Sequence, residues 1–579
     1  MGPLVVGCSG MGFASLFAYA FLSAFSAVNR IPFAQLCDAT ASVACASGLM
    51  LRAGAAGKGL ARPARRRLCF FHFLGVNAMK NGMKLTMLMA LGGWLSLAAA
   101  PAIETLAQRV QVHRLDNGLT ALLVRRANAP VFAAVIQINV GGCDEPAGQT
   151  GLAHIFEHIA FKGTPWIGTR DYAAERPLLE AIAQTAARLD AERNRIHPDA
   201  ERLKGLEEQL AGLQAQHETI VVKDEFDAIY KRYGGESLNA STSKDFTNYF
   251  IQLPANAFEL WACMESQRLL WPVAREFYRE RDVVGEERRM RTDNDPGGKL
   301  MEEFFAIAFQ AHPYRNPIIG WPSDIQNLDV KAAEAFYRER YAASNITIAV
   351  VGDLDADVFR RTIDRYFGRM PRRPVAPRVI TREPPPAGPR VATVYFDANP
   401  QFAMGWPKPT FHDPDDAALE VLARVLDGGR TTRLEKRIVQ EKQLALQVWV
   451  WPSAPGEKYD NLFMIWAAPR HPHTAAEVQA AIWEEIERAQ KQTVSDREIQ
   501  RVRNQLMADS VHKLNSNLGL ARELAYSAAL TGDPLYIDRR LQELLAVTAE
   551  DVRRVAARYL VPDRMTLVRL DKRSRAGAE

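Results

Sequence analysis

The stretch GLAHIFEHIAFKGT, residues 151–164, places two imidazoles and a carboxylate in an otherwise apolar segment. The spacing of its apolar residues predicts a helix that begins after Gly151. A helix turns about 100° per residue, so His154, Glu157 and His158 fall on one of its faces. Because packing alone favours apolar side chains in such a segment, these three polar residues indicate a functional site.

Two histidines at positions i and i+4 of a helix can bind one metal ion, and Zn²⁺ accepts this arrangement. Glu157 lies beside His154 and His158, where it can take the proton of a water whose pKa the ion lowers towards 7. The product would be a good nucleophile for a peptide carbonyl. The alternative is a pair of partly exposed histidines on an ordinary amphipathic helix. A third protein ligand is therefore the stronger test of a metal site.

Candidates for the third ligand lie in REFYRERDVVGEERRM, residues 275–290. Glu280 and Glu287 are seven residues apart, which places them two turns apart on one helical face. A solvated, charged helix would have the same spacing. The spacing alone therefore leaves both interpretations open.

The chain has 579 residues and a net charge of +5. A chain of this length is too long to fold around one hydrophobic core, so several domains are expected. The positive charge is concentrated before Ile103, where Asp38 is the only acidic residue. Because no basic region with interleaved aromatic residues follows, we expect no nucleic-acid partner. Cys143 and Cys263 remain after residue 103, and we expect both to be unpaired.

Residues 79–102 are typical of a secretory signal peptide, with two lysines, a short apolar run and small residues at the cleavage site. The apolar run is too short to span a membrane comfortably, so we expect export to the periplasm and no stable span in the mature chain. Residues 1–78 would then be a doubtful extension from a misassigned start. Two alternatives stay open: a membrane anchor in residues 1–29, and a mitochondrial transit peptide.

Strands and helices alternate after residue 103, in two stretches of similar size and style. Seven prolines in residues 371–390 exclude a helix or a central strand there and predict a semi-rigid linker. We therefore predict an α+β protein with two homologous α/β-sandwich halves, residues 103–370 and 391–579. Only the first half carries the histidine pair.

A charged segment, residues 171–222, interrupts the first half. Its composition favours helices, and the sequence HPDA from His197 divides it in two. Apolar side chains in its second part follow the spacing of a coiled-coil seam: Leu203, Leu206, Leu210, Leu213, His217 and Ile220. We predict a helical-hairpin insertion that projects from the domain. The alternative is a surface helix pair without a function of its own.

The pattern H-x-x-E-H is the inverted zinc signature. With it, the chain resembles the pitrilysin/insulinase family of zinc metallopeptidases, especially its short two-domain members similar to mitochondrial processing peptidase and bacterial periplasmic homologues. The resemblance covers about residues 105–570 and continues through successive blocks: GGCDEPAGQTGLAHIFEHIAFKGT, LNASTSKDFTNYF, ERDVVGEERRM, AHPYRNPIIGWPSDI and YAASNITIAVVGDLD.

The resemblance implies one Zn²⁺ per chain, with His154, His158 and Glu287 as ligands. It implies Glu157 as the general base. Glu280 matches an accessory carboxylate of the family, in a position to support the ligands. The expected activity is that of a zinc metalloendopeptidase.

Asn239 and Ala240 match the edge strand on which the family holds substrates by main-chain pairing. The resemblance therefore implies peptides or unfolded protein segments as substrates. Ordinary edge-strand residues would look similar, so this assignment depends on the family.

The second half departs from the family pattern. Active single-subunit members carry an arginine and a tyrosine seven residues apart, which hold the substrate and stabilise the developing oxyanion. Aligned through EKQLALQV, these positions are Val439 and Leu446, whose side chains cannot donate a hydrogen bond. We therefore expect a homologous partner subunit that carries the pair, in a heterodimer or homodimer. The alternative is a non-cleaving, peptide-binding or structural core-type subunit.

Overall fold

The computed structural model describes residues 105–375 and 377–572. The predicted extension and signal peptide lie outside these residues. The helices are α1 (Leu106–Arg109), α2 (Leu152–Ile159), α3 (Tyr172–Arg193), α4 (Ala200–Glu218), α5 (Glu225–Arg232), α6 (Phe258–Leu270), α7 (Phe277–Arg288), α8 (Pro296–Ala308), α9 (Pro322–Asn327), α10 (Val330–Arg340), α11 (Ala356–Phe367), α12 (Pro414–Leu426), α13 (Ala475–Lys491), α14 (Asp496–Asn515), α15 (Asn517–Thr531), α16 (Tyr536–Ala546) and α17 (Ala549–Tyr559). The strands are β1 (Val110–Arg114), β2 (Thr120–Arg125), β3 (Val131–Ile138), β4 (Glu236–Thr242), β5 (Thr247–Pro254), β6 (Ile346–Gly352), β7 (Arg390–Tyr395), β8 (Gln401–Lys408), β9 (Ala445–Ala454), β10 (Asn461–Pro469) and β11 (Thr566–Asp571).

Two mixed sheets form the framework of the fold. The strand order is β1-β2-β6-β3-β5-β4 in the first sheet and β7-β11-β8-β10-β9 in the second. Without β1, the two orders describe the same connectivity. The parallel neighbours are β2 and β6 in the first sheet and β7 and β11 in the second. All other neighbouring strands are antiparallel. This repeated topology confirms the predicted α+β fold with two homologous halves.

The main core lies on one face of the first sheet, under α2, α6 and α11. Large aromatic side chains from both the strands and the helices fill much of it. Phe132 on β3 packs edge-to-face against Trp261 on α6, with ring centroids 6.1 Å apart. The core thus fixes α2, the helix with both histidines, on the sheet.

The two halves exchange one helix each. Helix α8 belongs to the first half but packs against the second sheet through Leu300 and Phe304. Helix α15 belongs to the second half but covers the other face of the first sheet, where Leu520 and Leu524 are buried. The contact is close: a Cβ at Gly405 on β8 would lie 2.6 Å from the Phe304 ring. Each sheet is therefore completed by the opposite half.

The segment around the predicted linker differs in detail from the sequence prediction. The described part of residues 371–389 contains no helix or strand, and β7 begins at Arg390, the last residue of the predicted linker. The chain then forms two strands, β7 and β8, between Arg390 and Lys408. The turn between these strands includes Pro400, which has no N–H for a continuous ladder.

Helices α3 and α4 occupy the predicted hairpin segment, with a break at residues 194–199. Its ends lie side by side, because Thr169 and Val221 form an antiparallel bridge. The prediction of a projecting hairpin is wrong for α3, whose Ile182 and Ala186 are buried in the main core. Helix α4 ends at Glu218, so the last residue of the predicted seam lies beyond it.

Two smaller predictions concern membrane spans and cysteines. Of the helices in the described residues, none has both the length and the apolar character needed to cross a bilayer. Cys143 is buried, Cys263 is partly buried, and both are free thiols. The prediction of unpaired cysteines agrees with this arrangement.

Candidate metal centre

Gly151 and Glu145 define the N-terminus of helix α2. Gly151 has φ +91°, and a Cβ there would lie 2.7 Å from the carbonyl oxygen of Ile319. The Glu145 carboxylate accepts hydrogen bonds from the backbone N–H groups of Gly151 (3.0 Å) and Ala153 (2.7 Å). Burial raises the pKa of Glu145 to about 8, so its oxygens cap the helix through these hydrogen bonds and not through a full negative charge at neutral pH. Because Ile155 and other apolar residues face the core, the histidines face away from it.

Helix α7 brings the two predicted carboxylates to the histidines. Its buried residues include Phe277 and Val284, which pack into the main core. Glu280 and Glu287 lie on the side that faces α2, and the two helices are in contact. The structure therefore brings Glu287 to the histidine pair across a long separation in sequence.

Three donor atoms converge between these helices. The distance from Glu287 Oε2 is 3.7 Å to His154 Nε2 and 3.7 Å to His158 Nε2. All three donor atoms lie within 4.8 Å of one another. Zn²⁺ bonds of about 2.1 Å in a tetrahedron would separate neighbouring donors by about 3.4 Å. The donor types and their spacing therefore fit a zinc ion.

Burial keeps His154 in the form that can bind a metal. Its pKa is lowered to about 3, first by burial and then by the positive charges of His158 and Arg291. The neutral imidazole retains a lone pair for an ion. Arg291 also pairs with the other oxygen of Glu287, at 2.6 Å, and so orients this carboxylate.

His158 is held by a carboxylate behind it. Its Nδ1 lies 3.1 Å from Glu280 Oε2, and the other oxygen of Glu280 lies 2.6 Å from Lys162 Nζ. Burial lowers the pKa of His158, but the hydrogen bond and charge of Glu280 outweigh it, so the net shift is upward. This carboxylate fixes the ring orientation and directs Nε2 towards Glu287.

Glu157 occupies a different environment from the metal donors. Burial raises its pKa, and the hydrogen bond from Thr242 opposes this rise without cancelling it. The Thr242 hydroxyl donates to Glu157 Oε2 at 2.5 Å. A carboxylate with a raised pKa, held by one oxygen, is suited to exchanging protons near neutral pH.

Asn239 and Ala240 lie on β4, at the end of the first sheet. They pair with Phe250 and Tyr249 of β5, so the opposite edge of β4 is left without a neighbouring strand among the described residues. Asn239 is exposed, and its side-chain oxygen accepts from the Ala240 N–H at 2.8 Å. Thr242, the last residue of β4, donates a hydrogen bond to Glu157, so the free edge of β4 ends beside Glu157.

Val439 and Leu446 lie in the second half. Val439 packs against the core of that half, in the helical segment Glu435–Glu441. Leu446 is on β9 and is 50% exposed. Neither side chain can supply the hydrogen bonds of an arginine or a tyrosine.

Thr242 and Lys162 are two site residues that were not predicted from the sequence. Both are close in sequence to predicted site residues: Thr242 follows Ala240 by two positions on β4, and Lys162 lies four residues after His158, beyond the end of α2. Strand alternation could have placed Thr242 on the same face as Ala240, but helical periodicity does not extend to Lys162. Their partners come from distant segments and could not be read from spacing.

Comparisons with known proteins found similar sequences and similar structures. Residues 120–197 match the family model described as insulinase (peptidase family M16), and residues 327–506 match the peptidase M16 inactive domain. The zinc protease PqqE of Helicobacter pylori is 30% identical over 78% of this chain and 91% of its own length. The probable mitochondrial-processing peptidase subunit beta of Arabidopsis thaliana is 22% identical over 78% of this chain and 77% of its own. The crystal structure of a protease from Helicobacter pylori has a TM-score of 0.66 and 26% identity, covering 80% of this chain and 99% of that one.

Proposed function

The chain belongs to the insulinase family, peptidase family M16, and on this premise we propose that it is the zinc-binding subunit of a metalloendopeptidase. One observation carries the proposal: His154, His158 and Glu287 present three donor atoms within 4.8 Å of one another. Two imidazoles and one carboxylate are a known donor set for catalytic zinc. The site holds one Zn²⁺ per chain.

The protein groups then divide the chemistry between them. Bound zinc would supply a Lewis acid that acidifies water and polarises a peptide carbonyl. Glu157 accepts the proton of the attacking water and delivers it to the leaving amine, because its raised pKa favours both transfers near neutral pH. Thr242 holds one oxygen of Glu157, which leaves the other free to exchange the proton.

The substrate is an extended peptide or an unfolded protein segment. Such a segment can pair its main chain with the free edge of β4, at Asn239 and Ala240, and add one strand to the first sheet. Since β4 ends at Thr242, which contacts Glu157, a peptide on this edge passes the proposed base. Main-chain pairing would select substrates for unfolded character more than for side-chain identity.

A homologous partner subunit completes the site. Val439 and Leu446 occupy the positions at which active single-subunit members carry the arginine and tyrosine. An oxyanion donor is worth about 100- to 1,000-fold in kcat, so this chain alone should be a weak peptidase. Residues 79–102 support export as the route to the compartment in which the two subunits meet.

The decisive experiment substitutes the base and keeps the ligands. Glu157→Gln should retain about one zinc per chain and lose cleavage of an unfolded protein substrate, in the presence of the copurified partner. Glu207→Gln, an exposed acid-to-amide change on α4, is the matched control and should leave both unchanged. Undiminished cleavage by Glu157→Gln would contradict the proposed mechanism.

A second candidate function is a peptide-binding or structural subunit that does not cleave. The side chains at Val439 and Leu446 favour it. The complete donor set argues against it, because a scaffold does not require two histidines and a carboxylate that converge. Metal analysis of the purified chain separates the two: one zinc supports the peptidase, and none supports the scaffold.

A further inference from the structure

We propose that the helical pair α3–α4 is a brace that holds the two ligand-bearing helices, α2 and α7, at the spacing that the metal requires. The inference rests on the proposed function, since it assigns a role to residues around the same site. It makes the helical pair a determinant of metal affinity, in addition to any contribution to stability.

The base of the pair is bound to the segment that follows α2. Arg275 is fully buried and donates to the carbonyl oxygens of Lys162 (2.5 Å), Ile167 (3.0 Å) and Thr164 (3.2 Å). Its remaining N–H groups donate to Glu175 of α3, at 2.6 and 2.8 Å. One guanidinium therefore connects α3 to the loop immediately after His158.

Helix α4 joins the same buried cluster. The Glu175 carboxylate lies 2.8 Å from His217 Nε2, near the end of α4. Glu175 and His217 are both buried, and the pKa of Glu175 is lowered to about 2: burial alone would raise it, but Arg275 and His217 outweigh burial. A buried charge that is fully paired and hydrogen-bonded has little freedom to move. Both helices of the pair are thereby fixed beside the α2 segment.

The pair also contacts α7 on both sides of Glu280. Arg281 makes two hydrogen bonds to Asp190 of α3, at 2.7 and 3.2 Å, and both side chains are largely buried (7% and 13% exposed). Arg279 lies 2.5 Å from Glu218 of α4 and is about one third exposed. The residue between these arginines, Glu280, contacts His158. The turn of α7 whose Glu280 contacts the metal ligand His158 is therefore also bound to both helices, through Arg279 and Arg281.

Apolar contacts reinforce these ion pairs. Ile182 of α3 and Phe277 and Tyr278 of α7 belong to the same buried apolar cluster. Together with Leu179 of α3 and His217 of α4 they surround a cavity of only about 20 Å³, so the first turn of α7 lies close to the helical pair. Because packed interiors transmit displacements, a shift of the pair would move α7 relative to α2.

An ion pair at the far end of α3–α4 serves as a control for the contacts with α7. Arg193 and Glu207 join α3 to α4 at 2.7 Å, but both are about half exposed. Exposed pairs of this kind contribute little to stability. The Arg193–Glu207 ion pair joins the same two helices but does not face α7. Removing it therefore tests whether every change in α3–α4 lowers zinc affinity or only a change at a contact with α7.

The experiment compares Asp190→Asn with Glu207→Gln in the full chain. Zinc affinity is measured by competition with a chromogenic chelator, and hydrogen exchange of α7 amides is measured in the metal-free protein. Asp190→Asn should bind zinc about tenfold more weakly and exchange faster in α7, whereas Glu207→Gln should stay within about twofold of wild type. The double variant Asp190→Asn/Arg281→Gln should bind zinc as tightly as Asp190→Asn alone, because the two side chains act as one pair.

A purely structural helical pair would give a different result. The urea midpoint of Asp190→Asn would fall while its zinc affinity and α7 exchange remained at wild-type values, and the proposal would be overturned. If Asp190→Asn does not fold, Glu218→Gln makes the same comparison at a contact that is about one third exposed, with a smaller expected loss of zinc affinity, about threefold. Failure of the wild-type chain to bind zinc would instead refute the proposed function, and the brace with it.

Discussion

Replacing Glu280 by glutamine is expected to weaken zinc binding without removing a ligand. Glu280 Oε2 lies 3.1 Å from His158 Nδ1, and Oε1 lies 2.6 Å from Lys162 Nζ. Both neighbours are donors when His158 binds an ion through Nε2. A glutamine offers one acceptor and one donor, so one of these two contacts must be lost.

The size of the effect follows from that lost contact. A hydrogen bond to a charged group contributes about 1.5–3 kcal/mol. At about 1.4 kcal/mol per factor of ten, this predicts zinc binding about 10- to 100-fold weaker than in the wild-type chain. The range agrees with the usual cost of removing a carboxylate behind a histidine ligand.

The assay is chelator competition at neutral pH, with Glu276→Gln as control. Glu276 lies 3.6 Å from the same Lys162 Nζ, so the control removes a carboxylate from the same lysine and leaves Glu280 in contact with His158. Wild-type affinity in Glu280→Gln would refute the argument. An equal loss in both variants would show that the local charge matters, and not the contact with His158.

Further predictions concern the base, the buried cluster and the partner. Thr242→Val removes a hydrogen bond that lowers the pKa of Glu157, so the acid limb of kcat/KM should move to higher pH; an unchanged profile would argue against Glu157 as the base. Glu175→Gln should cost about 3–5 kcal/mol in urea unfolding, because it leaves Arg275 buried and unpaired. The folded pKa of Glu175 is depressed, so its stabilising contribution is present above about 4.5 and is lost as pH falls through about 2; the variant should lack this acid dependence. The chain purified alone should cleave an unfolded substrate at least 100-fold more slowly than with its partner, and equal rates would refute the divided site.

The sequence predicted the part of the site that depends on local periodicity. His154, Glu157 and His158 share one face because a helix has a fixed twist, and the helix itself is evident from its apolar residues. Glu280 and Glu287 could be placed on one face by the same reasoning. Their approach to α2 is a tertiary contact, and the sequence indicated it only through resemblance to a family.

The remaining features depend on contacts between distant segments. Thr242 reaches Glu157 from another strand, and Arg275 pairs with Glu175 from beyond the inserted helices. Spacing cannot reveal such partners, because a polar side chain on a strand or helix has the same pattern whether it is exposed or paired. The wrong prediction that the hairpin projects has the same cause: Ile182 could face solvent, a partner helix or the core.

The exchange of α8 and α15 bears on whether the zinc-binding half can exist alone. Residues 103–370 contain every group of the donor set, but one face of their sheet is covered by α15 of the other half. Leu122 and Val124 on β2 are fully buried there, and so is Leu524 of α15. Without α15 this face would be an apolar patch of the kind that causes association, and α8 would lose the second sheet that buries Phe304. Expressed alone, residues 103–370 should therefore aggregate, even though their predicted strands and helices alternate as in a complete domain. A soluble, monomeric, zinc-binding fragment would show that the exchanged helices are dispensable.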